Sequence, residues 1–226
     1  MKTAFISDIH SNLEAFEAVL EDIKQKKIRR ILCLGDIVGY GADPNECVEI
    51  VKKMKIPCIK GNHDSCCVDF HGIESFNYIA QEAVRWTNKA LKRNNIAFLK
   101  KLPETMAKEG VFMAHGSPRD PLNEYVYESM SAWDAKEFFS IAGKDVIAMG
   151  HTHVPFVKRF GSKVIFNPGG VGQPRDNNPK ASYAVFDSKT RNVRIERVDY
   201  DIKKAAGKII KARLPSFLAT RLYLGR

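Results

Sequence analysis

The stretch ILCLGDIVGY, from Ile31 to Tyr40, decides the fold because an apolar run ends there in Gly-Asp and the chain then turns at Gly39. A run of about four to eight apolar residues closed by glycine is typical of a buried parallel strand. In open α/β sheets, functional sites form just beyond the carboxyl ends of such strands. The sequence therefore predicts that Asp36 lies at the mouth of a strand, where a site would form.

Four other strand-like runs also end in polar residues. They lead into the segments DIH at Asp8, GNHD at Gly61, HG at His115 and GHTH at Gly150. Five of the six histidines lie in these segments, and we interpret the sixth, His71, as an ordinary loop residue. Random placement would scatter histidines along the chain. The pattern therefore predicts a metal site assembled across one sheet edge and organised around Asp36.

The composition is that of an ordinary globular protein, since 44% of the 226 residues are apolar and 27% are charged. This size fits a single α/β domain over residues 1–226. The start, MKTAFISDIH, does not resemble a secretory signal, and no long uncharged apolar run follows, so we expect a cytoplasmic protein with no membrane segment. The five cysteines lack CxxC spacing, and we interpret the pair Cys66-Cys67 as small loop residues rather than a soft metal site.

The net charge of +10 is concentrated in a basic C-terminal tail, residues 201–226. That tail contains seven Lys or Arg and one Asp, which gives it a net charge of +6. Basic residues on a terminal helix are commonly a solvated face, and no helix-turn-helix or aromatic-rich RNA motif accompanies them. We therefore expect a helical tail that does not bind nucleic acid.

The order of predicted elements begins β-α-β-α-β, which indicates a parallel sheet with right-handed crossovers. Asn12 caps the first predicted helix, and Asp43-Pro44 begins the second. We predict a strand at residues 57–60 and further helices at residues 75–94, 96–102 and 133–139.

The remaining segments suggest a loop and a second sheet. Residues 118–128 are rich in Pro, Asn and Tyr and have no period, which predicts a loop over the site. From residue 156 the apolar period changes to two, which predicts hairpins at residues 156–166 and 182–199. We expect these hairpins to form a second, mixed sheet packed on the first.

The polar residues at the strand ends form a donor set without thiolates. Carboxylate, amide and imidazole donors are supplied by Asp8, His10, Asp36, Asn62, His115, His151 and His153. One zinc site uses about three or four protein ligands, so this set predicts two divalent transition-metal ions of the Mn, Fe, Zn, Ni or Co type. A central carboxylate can bridge two cations about 3.5–4 Å apart, and we assign that position to Asp36.

These motifs resemble the five motifs of the calcineurin-like metallophosphoesterases. The resemblance implies a four-layer α/β-β/α sandwich of two mixed sheets flanked by helices. It also implies one metal held by Asp8, His10, Asp36 and His153, and another held by Asp36, Asn62, His115 and His151. His63 matches the family's catalytic histidine that is not a ligand.

A later segment, NPGGVGQPRD from Asn167 to Asp176, is similar to a small single-domain branch of this family. That branch includes YfcE-like phosphodiesterases and proteins described as diadenosine-tetraphosphatase-like. Gly170 stands where the branch often has serine. Arg175 in this segment is a candidate phosphate clamp, although a turn held by an ion pair with its neighbour Asp176 would explain it equally well.

The predicted activity is hydrolysis of a phosphodiester or phosphomonoester by hydroxide held between two cations, with His63 as the general acid. Asp64 is a candidate to orient the His63 ring, or else a turn or helix-cap residue. We expect a small-molecule phosphate ester as substrate, with nucleotides among the candidates. Two alternatives stay open, a non-catalytic metal-dependent scaffold and a nuclease that uses the basic tail.

Overall fold

The computed structural model describes residues 1–226. Its nine strands are β1 Lys2–Ile6, β2 Arg30–Cys33, β3 Thr105–Lys108, β4 Val111–Ala114, β5 Val146–Ala148, β6 Phe156–Phe160, β7 Lys163–Asn167, β8 Ala181–Asp187 and β9 Asn192–Val198. Its eight α-helices are α1 Leu13–Gln25, α2 Pro44–Lys53, α3 Asn62–Asp69, α4 Tyr78–Ala90, α5 Arg93–Lys100, α6 Ala132–Ala142, α7 Ile202–Lys211 and α8 Ser216–Leu224. A short 3₁₀ turn covers Ile73–Ser75.

The strands form two mixed sheets. The first has the order β2-β1-β8-β9, with β1 and β2 parallel and the other neighbours antiparallel. The second has the order β3-β4-β5-β7-β6, with a parallel centre and an antiparallel strand at each edge. Helices flank both sheets, so the predicted α/β fold with two mixed sheets is confirmed.

Alternation along the strands divides the apolar residues among the layers. Phe5 faces the second sheet, where its ring lies 5.1 Å from that of Phe166. Its neighbours Ala4 and Ile6 face the opposite way, into the core shared with α1 and α2. On the second sheet, Ile165 faces α6. Burial on both faces holds the two sheets face to face and fixes their strand ends relative to each other.

The downstream hairpins do not form one sheet, contrary to our prediction. Strands β6 and β7 extend the second sheet beside β5, whereas β8 and β9 extend the first sheet beside β1. A period of two shows which face of a strand is buried, but the sheet that a hairpin joins depends on contacts distant in sequence. Sequence pattern alone therefore could not separate the two hairpins.

The predicted long helix is broken after α4. Leu91 is extended, and the Asn45 side chain takes over the hydrogen bonds at the break. Its amide nitrogen donates to the Ala90 carbonyl at 2.8 Å, and its oxygen accepts from the Lys92 N–H at 2.8 Å. The distant Asn45 therefore satisfies the backbone where the helix is interrupted.

The predicted strand at residues 57–60 is reduced to a single bridge between Cys33 and Cys58. Pro57 has no N–H to donate, and the Lys60 N–H donates to the Pro103 carbonyl rather than to a strand. The structure also contains β3 and α3, which we did not predict.

The basic tail consists of two helices, and part of its charge is structural. On α7, Lys208 lies 2.6 Å from Glu14 and 2.8 Å from Asp43, and Lys204 lies 3.2 Å from Glu14. The Glu14 side chain is only 4% exposed, so it requires these partners. Lys208 is therefore more than a solvated charge, whereas Lys204 is 59% exposed and stays on the solvated face that we predicted. Along the whole chain, no helix has the length and apolar character needed to cross a membrane.

Candidate metal centre

The candidate centre lies where strand ends from both sheets meet. Asp8 and Asp36 follow β1 and β2 of the first sheet, whereas His115 and His151 follow β4 and β5 of the second. We predicted a single sheet edge, and the structure corrects this. The site straddles the two sheets, so their packing sets the spacing between its two halves.

Tight backbone turns aim the candidate ligands inward. Five of them have left-handed φ values between 49° and 67°: Asp8, His10, Asp36, His151 and His153. Residues other than glycine rarely adopt this region, at a cost of about 1–3 kcal/mol each, and such strain clusters at functional sites. Hydrogen bonds between the loops hold the turns, among them one from the Asp8 N–H to the Gly35 carbonyl.

One group of donors consists of Asp8, His10 and His153, all buried. The Nε2 atoms of the two histidines lie 3.1 Å apart, and Asp8 Oδ1 lies 3.3 Å from Nε2 of His153. Each imidazole donates from Nδ1 to a backbone carbonyl, at Val38 and at Gln173 respectively. Burial lowers the pKa of both rings well below the usual value, so both are neutral. Their Nε2 lone pairs therefore face each other, which is unfavourable unless a cation lies between them.

A second group consists of Asp36, His115 and His151, also buried. His115 donates from Nδ1 to the Leu34 carbonyl at 2.8 Å, and its Nε2 lies 3.2 Å from Asp36 Oδ2. The Asn62 side-chain oxygen lies 3.1 Å from the same Nε2. His151 has the opposite arrangement, because its Nε2 bonds to the Asn123 carbonyl and its Nδ1 is left free.

One oxygen of each carboxylate accepts no hydrogen bond as long as the neighbouring imidazoles are neutral. These atoms are Asp8 Oδ1 and Asp36 Oδ2, both fully buried. The other oxygens accept from backbone N–H groups, at His151 for Asp8 and at His63 for Asp36. Buried carboxylate oxygens without a partner are costly, and bound cations remove that cost. Hard carboxylate and amide oxygens beside imidazole nitrogens suit divalent transition metals, so the residues fit such ions.

A glycine allows the Asp36 carboxylate to occupy this position. A Cβ built on Gly61 would lie 2.0 Å from Asp36 Oδ1 and 2.4 Å from the Asp36 backbone nitrogen. Only glycine permits this approach between the loop after β2 and the start of α3. Gly61 of the GNHD motif is therefore required because any side chain there would collide with Asp36.

Protonation competes with metal binding in the second group. Burial opposes the charge of Asp36, but the neighbouring His115 lowers the pKa of this carboxyl well below its usual range. Burial likewise opposes the charge of His115, and Asp36 outweighs it and raises the pKa of that imidazole to about 10. Burial raises the pKa of Asp8 to about 6. Without a metal, a proton on His115 therefore neutralises the Asp36 charge.

His63 forms a third group of close donors with His10 and Asp36, but its ring is held differently. Its ring packs between Tyr40 and Phe76, with centroids 4.4 and 4.7 Å away, and its Nδ1 has no partner. Burial lowers the pKa of His63 to about 4. A Cβ built on Gly39 would lie only 2.6 Å from His63 Nδ1, so glycine at this position leaves room for the ring. The ring is therefore positioned by packing.

The contacts of Asp64 differ from the orienting role that we proposed as one alternative. Its Oδ1 accepts from the N–H groups of Ile37 and Val38, and its Oδ2 accepts from the N–H of Gly61. No hydrogen bond joins it to the His63 ring. Asp64 is the third residue of α3; its side chain caps the N–H of Gly61, the N-cap residue, and ties the helix to the loop after β2.

Arg175 does not form the ion pair with Asp176 that we considered. Its guanidinium donates to the Gln173 side-chain oxygen, whereas Asp176 pairs with Arg197. The Arg175 guanidinium lies over the Tyr40 ring at 5.7 Å. The Arg175 guanidinium is therefore available to bind an anion at the edge of the candidate metal centre.

Three residues near the site were missed from the sequence: Tyr40, Tyr125 and Arg221. Tyr40 directly follows the GDIVG motif, and Tyr125 lies in the loop that we predicted over the site, so both had a positional signal. The Tyr125 ring packs on His151 with centroids 3.8 Å apart. Arg221 comes from α8 and had no local signal.

The side chains that we set aside lie away from the candidate ligands. Cys66 and Cys67 are buried and free, and they lie within α3 rather than in the predicted loop. His71 is exposed in a turn. The adjacent thiols pack into the core of the first sheet.

Comparisons with known proteins agree with this geometry. A family profile described as a calcineurin-like phosphoesterase superfamily domain matches residues 1–191. An uncharacterised protein of Methanocaldococcus jannaschii is 43% identical over 99% of this chain and 98% of its own length. Phosphodiesterase YfcE of Escherichia coli K12 is 27% identical over 85% of this chain and 91% of its own length. The crystal structure of a metallophosphoesterase from Sphaerobacter thermophilus is 37% identical, has a TM-score of 0.88 and covers 100% of this chain and 99% of that one. The chain therefore belongs to the calcineurin-like phosphoesterase superfamily and is a metal-dependent phosphoesterase.

Proposed function

We propose that the protein hydrolyses a phosphodiester at a dinuclear centre of two divalent transition-metal ions, with His63 as the general acid. The observation that carries this proposal is the pair of buried carboxylate oxygens without partners, Asp8 Oδ1 and Asp36 Oδ2. Each belongs to a separate group of three donors, Asp8 with His10 and His153, and Asp36 with His115 and His151. Two incomplete donor groups support two cations rather than one.

Asp36 is the residue that we assign to both cations. Its Oδ2 lies 3.2 Å from His115 Nε2 and 3.6 Å from His10 Nε2, so it faces both donor groups. Asn62 completes the second group. When bound, the two cations would lower the pKa of a shared water and neutralise charge on the phosphate oxygens.

His63 supplies the proton that an alkoxide leaving group needs. The ring is neutral in the free protein because burial lowers its pKa to about 4. The negative charge of a bound phosphate acts to raise that pKa, against the opposing effect of the two cations. Tyr40 and Phe76 hold the ring in place while its Nδ1 stays free of other partners. Because both donor groups and His63 are present, the site gives no support to the non-catalytic alternative.

The first prediction is that metal identity controls activity. Removal of metal by a chelator should abolish hydrolysis of bis(p-nitrophenyl) phosphate, and Mn, Co or Ni should restore it better than Mg, because imidazole-rich sites favour transition metals. The measurement is the rate after reconstitution with each ion. Full activity with Mg alone would count against the proposal.

The second prediction concerns protons displaced by the metal. At pH 7 the free protein carries a proton on His115, whose pKa is about 10. Binding a cation at His115 Nε2 requires that proton to leave, so the apparent metal affinity should rise with pH between pH 6 and 8. Calorimetry of zinc binding in buffers of different ionisation enthalpy should show release of about one proton at pH 7. Binding without proton release would exclude His115 as a ligand.

The third prediction separates acid catalysis from metal binding at His63. His63→Asn should keep the wild-type metal content, and turnover of alkyl or nucleoside esters should fall by about 10²–10⁴-fold. Nitrophenyl esters should lose much less, because nitrophenolate leaves without a proton. His71→Asn, an exposed histidine to asparagine change, is the matched control.

Metal analysis alongside rates on both ester types decides the role of His63. Equal losses on the two ester types would argue against the acid role. Loss of metal from the His63→Asn protein would make His63 a ligand.

A further inference from the structure

A second cavity adjoins the metal centre. The cavity over the centre has a volume of about 360 Å³ and is lined by Asn62, His63 and His151 among others. Its neighbour has a volume of about 400 Å³, and the two cavities share Tyr40, Asn77 and Tyr125. We call this neighbour the arginine pocket, and its charged and aromatic lining consists of Tyr40, Tyr78, Tyr125, Arg175, Phe217 and Arg221.

Neither guanidinium group of the arginine pocket is paired with an Asp or Glu side chain. Arg175 and Arg221 form no salt bridge with an Asp or Glu side chain, but each has other polar contacts. Arg175 donates to the Gln173 side-chain oxygen at 2.8 and 3.2 Å, and Arg221 donates from Nε to a main-chain oxygen of Arg226, the last residue of the sequence. Arg221 lies over the Phe217 ring at 5.3 Å, as Arg175 lies over Tyr40. Two neighbouring guanidinium groups with no Asp or Glu partner attract an anion.

The arginine pocket is held in shape by contacts between its two walls. The loop after Arg175 and the end of α8 are joined by a hydrogen bond from the Asn177 N–H to the Gly225 carbonyl at 2.9 Å. Arg226 donates from Nε to the Asn177 side-chain oxygen at 3.0 Å. A Cβ on Gly225 would lie 2.5 Å from the backbone of Asn178, so the helix end packs directly on that loop. The two arginines are therefore brought together before any ligand binds, which reduces the entropic cost of binding.

The lining suits a phosphate attached to an aromatic base. Arginine forks match phosphate oxygens bidentately. Large aromatic side chains stay exposed around them, with Tyr78 at 74%, Tyr125 at 53% and Phe217 at 51%. Base rings stack on such side chains, which contributes about 1–3 kcal/mol per base. A simple monoester would place its only phosphate at the metals and leave both arginines without a ligand.

We propose that the arginine pocket binds the leaving nucleotide of a short dinucleotide phosphodiester, with a second phosphate on Arg175 and Arg221 and a base against the aromatic side chains. This inference rests on the proposed function, since it names the substrate class of the same centre. The scissile diester lies at the metal centre, and the second phosphate is the 5′-phosphate of the leaving nucleotide.

The chemical step is a hydrolysis. The oxygen of water forms a bond to the diester phosphorus, and the bond from that phosphorus to the 3′ oxygen of the leaving nucleotide breaks. His63 gives its proton to that 3′ oxygen, and the proton released from water restores the imidazolium. A 5′-phosphorylated dinucleotide and one water therefore yield two nucleoside 5′-monophosphates.

The charge distribution favours a short ligand over a long strand. The tail residues Lys204 and Lys208 are already occupied by Glu14 and Asp43. They therefore do not extend the positive charge beyond the arginine pocket, whereas a long strand requires a continuous basic groove. A ligand with two phosphates matches the metal centre and the one adjoining pair of arginines.

The test compares two substrates that share one scissile bond. The dinucleotides pApA and ApA differ only in the 5′-phosphate. Metal-loaded wild-type protein should show a kcat/KM at least about tenfold higher for pApA, mainly through KM, because hydrogen bonds to charged groups are among the stronger ones. Arg175→Gln and Arg221→Gln should each reduce this preference towards unity. Arg213→Gln removes the same charge from an exposed position in the tail and should keep the preference.

A second pair of variants tests the aromatic contact. Phe217 lines the arginine pocket and is 51% exposed, whereas Tyr223 on the same helix is 52% exposed and does not line it. Phe217→Ala should raise KM for pApA, and Tyr223→Ala should not. Equal effects of the two substitutions would overturn the aromatic contact.

Binding to metal-free protein makes the inference independent of turnover. Calorimetry should show tighter binding of pApA than of ApA, and Arg221→Gln should remove the difference.

If this binding preference is found but no ester is hydrolysed after metal loading, the proposed function fails and the arginine pocket is supported. Hydrolysis of both dinucleotides without a preference overturns the arginine pocket alone. Equal loss in Arg213→Gln, or a preference for a decanucleotide over pApA that falls steeply with salt, overturns it as well.

Discussion

The structure depends on one unfavourable arrangement, in which two buried imidazole nitrogens face each other without a proton between them. Nε2 of His10 and Nε2 of His153 are 3.1 Å apart, and both rings have committed their Nδ1 protons to backbone carbonyls. Unpaired oxygens of Asp8 and Asp36 lie beside them. Such a cluster opposes folding unless positive charge enters it. We expect bound cations to be part of the stable protein rather than an addition to it.

The rest of the fold brings this cluster together and keeps it fixed. Packing between the sheets, centred on Phe5 and Phe166, sets the distance between the ligands of the first sheet and those of the second. Asp64 attaches α3 to the loop after β2 through three backbone hydrogen bonds. The basic tail serves the site as well, because the ion pairs of α7 with α1 support α8, which carries Arg221. The basic tail, which we predicted to be a solvated face, therefore also positions a residue beside the metal centre.

Much of the site could be predicted because the polar motifs directly follow strands, and a strand followed by a polar turn is a local pattern. The strand ends therefore identified Asp8, Asp36, His115 and His151 as neighbours. The division of these ligands between the two sheets was not visible in the strand pattern, because the sheet that a strand joins depends on contacts distant in sequence, as in the pairing of Lys2 with Asp187. The break at Leu91 was hidden for the same reason, since the distant Asn45 supplies its hydrogen bonds. Arg221 had no motif and is recognised only through the position of α8.

The central claim is that Asp36 lies between two cations. Anomalous diffraction from crystals of manganese-loaded protein tests it most directly. We expect two anomalous peaks about 3.5–4 Å apart, one beside Asp8 and His153 and the other beside His115, with the Asp36 carboxylate bonded to both. A single peak, or two peaks of which only one contacts Asp36, would contradict it.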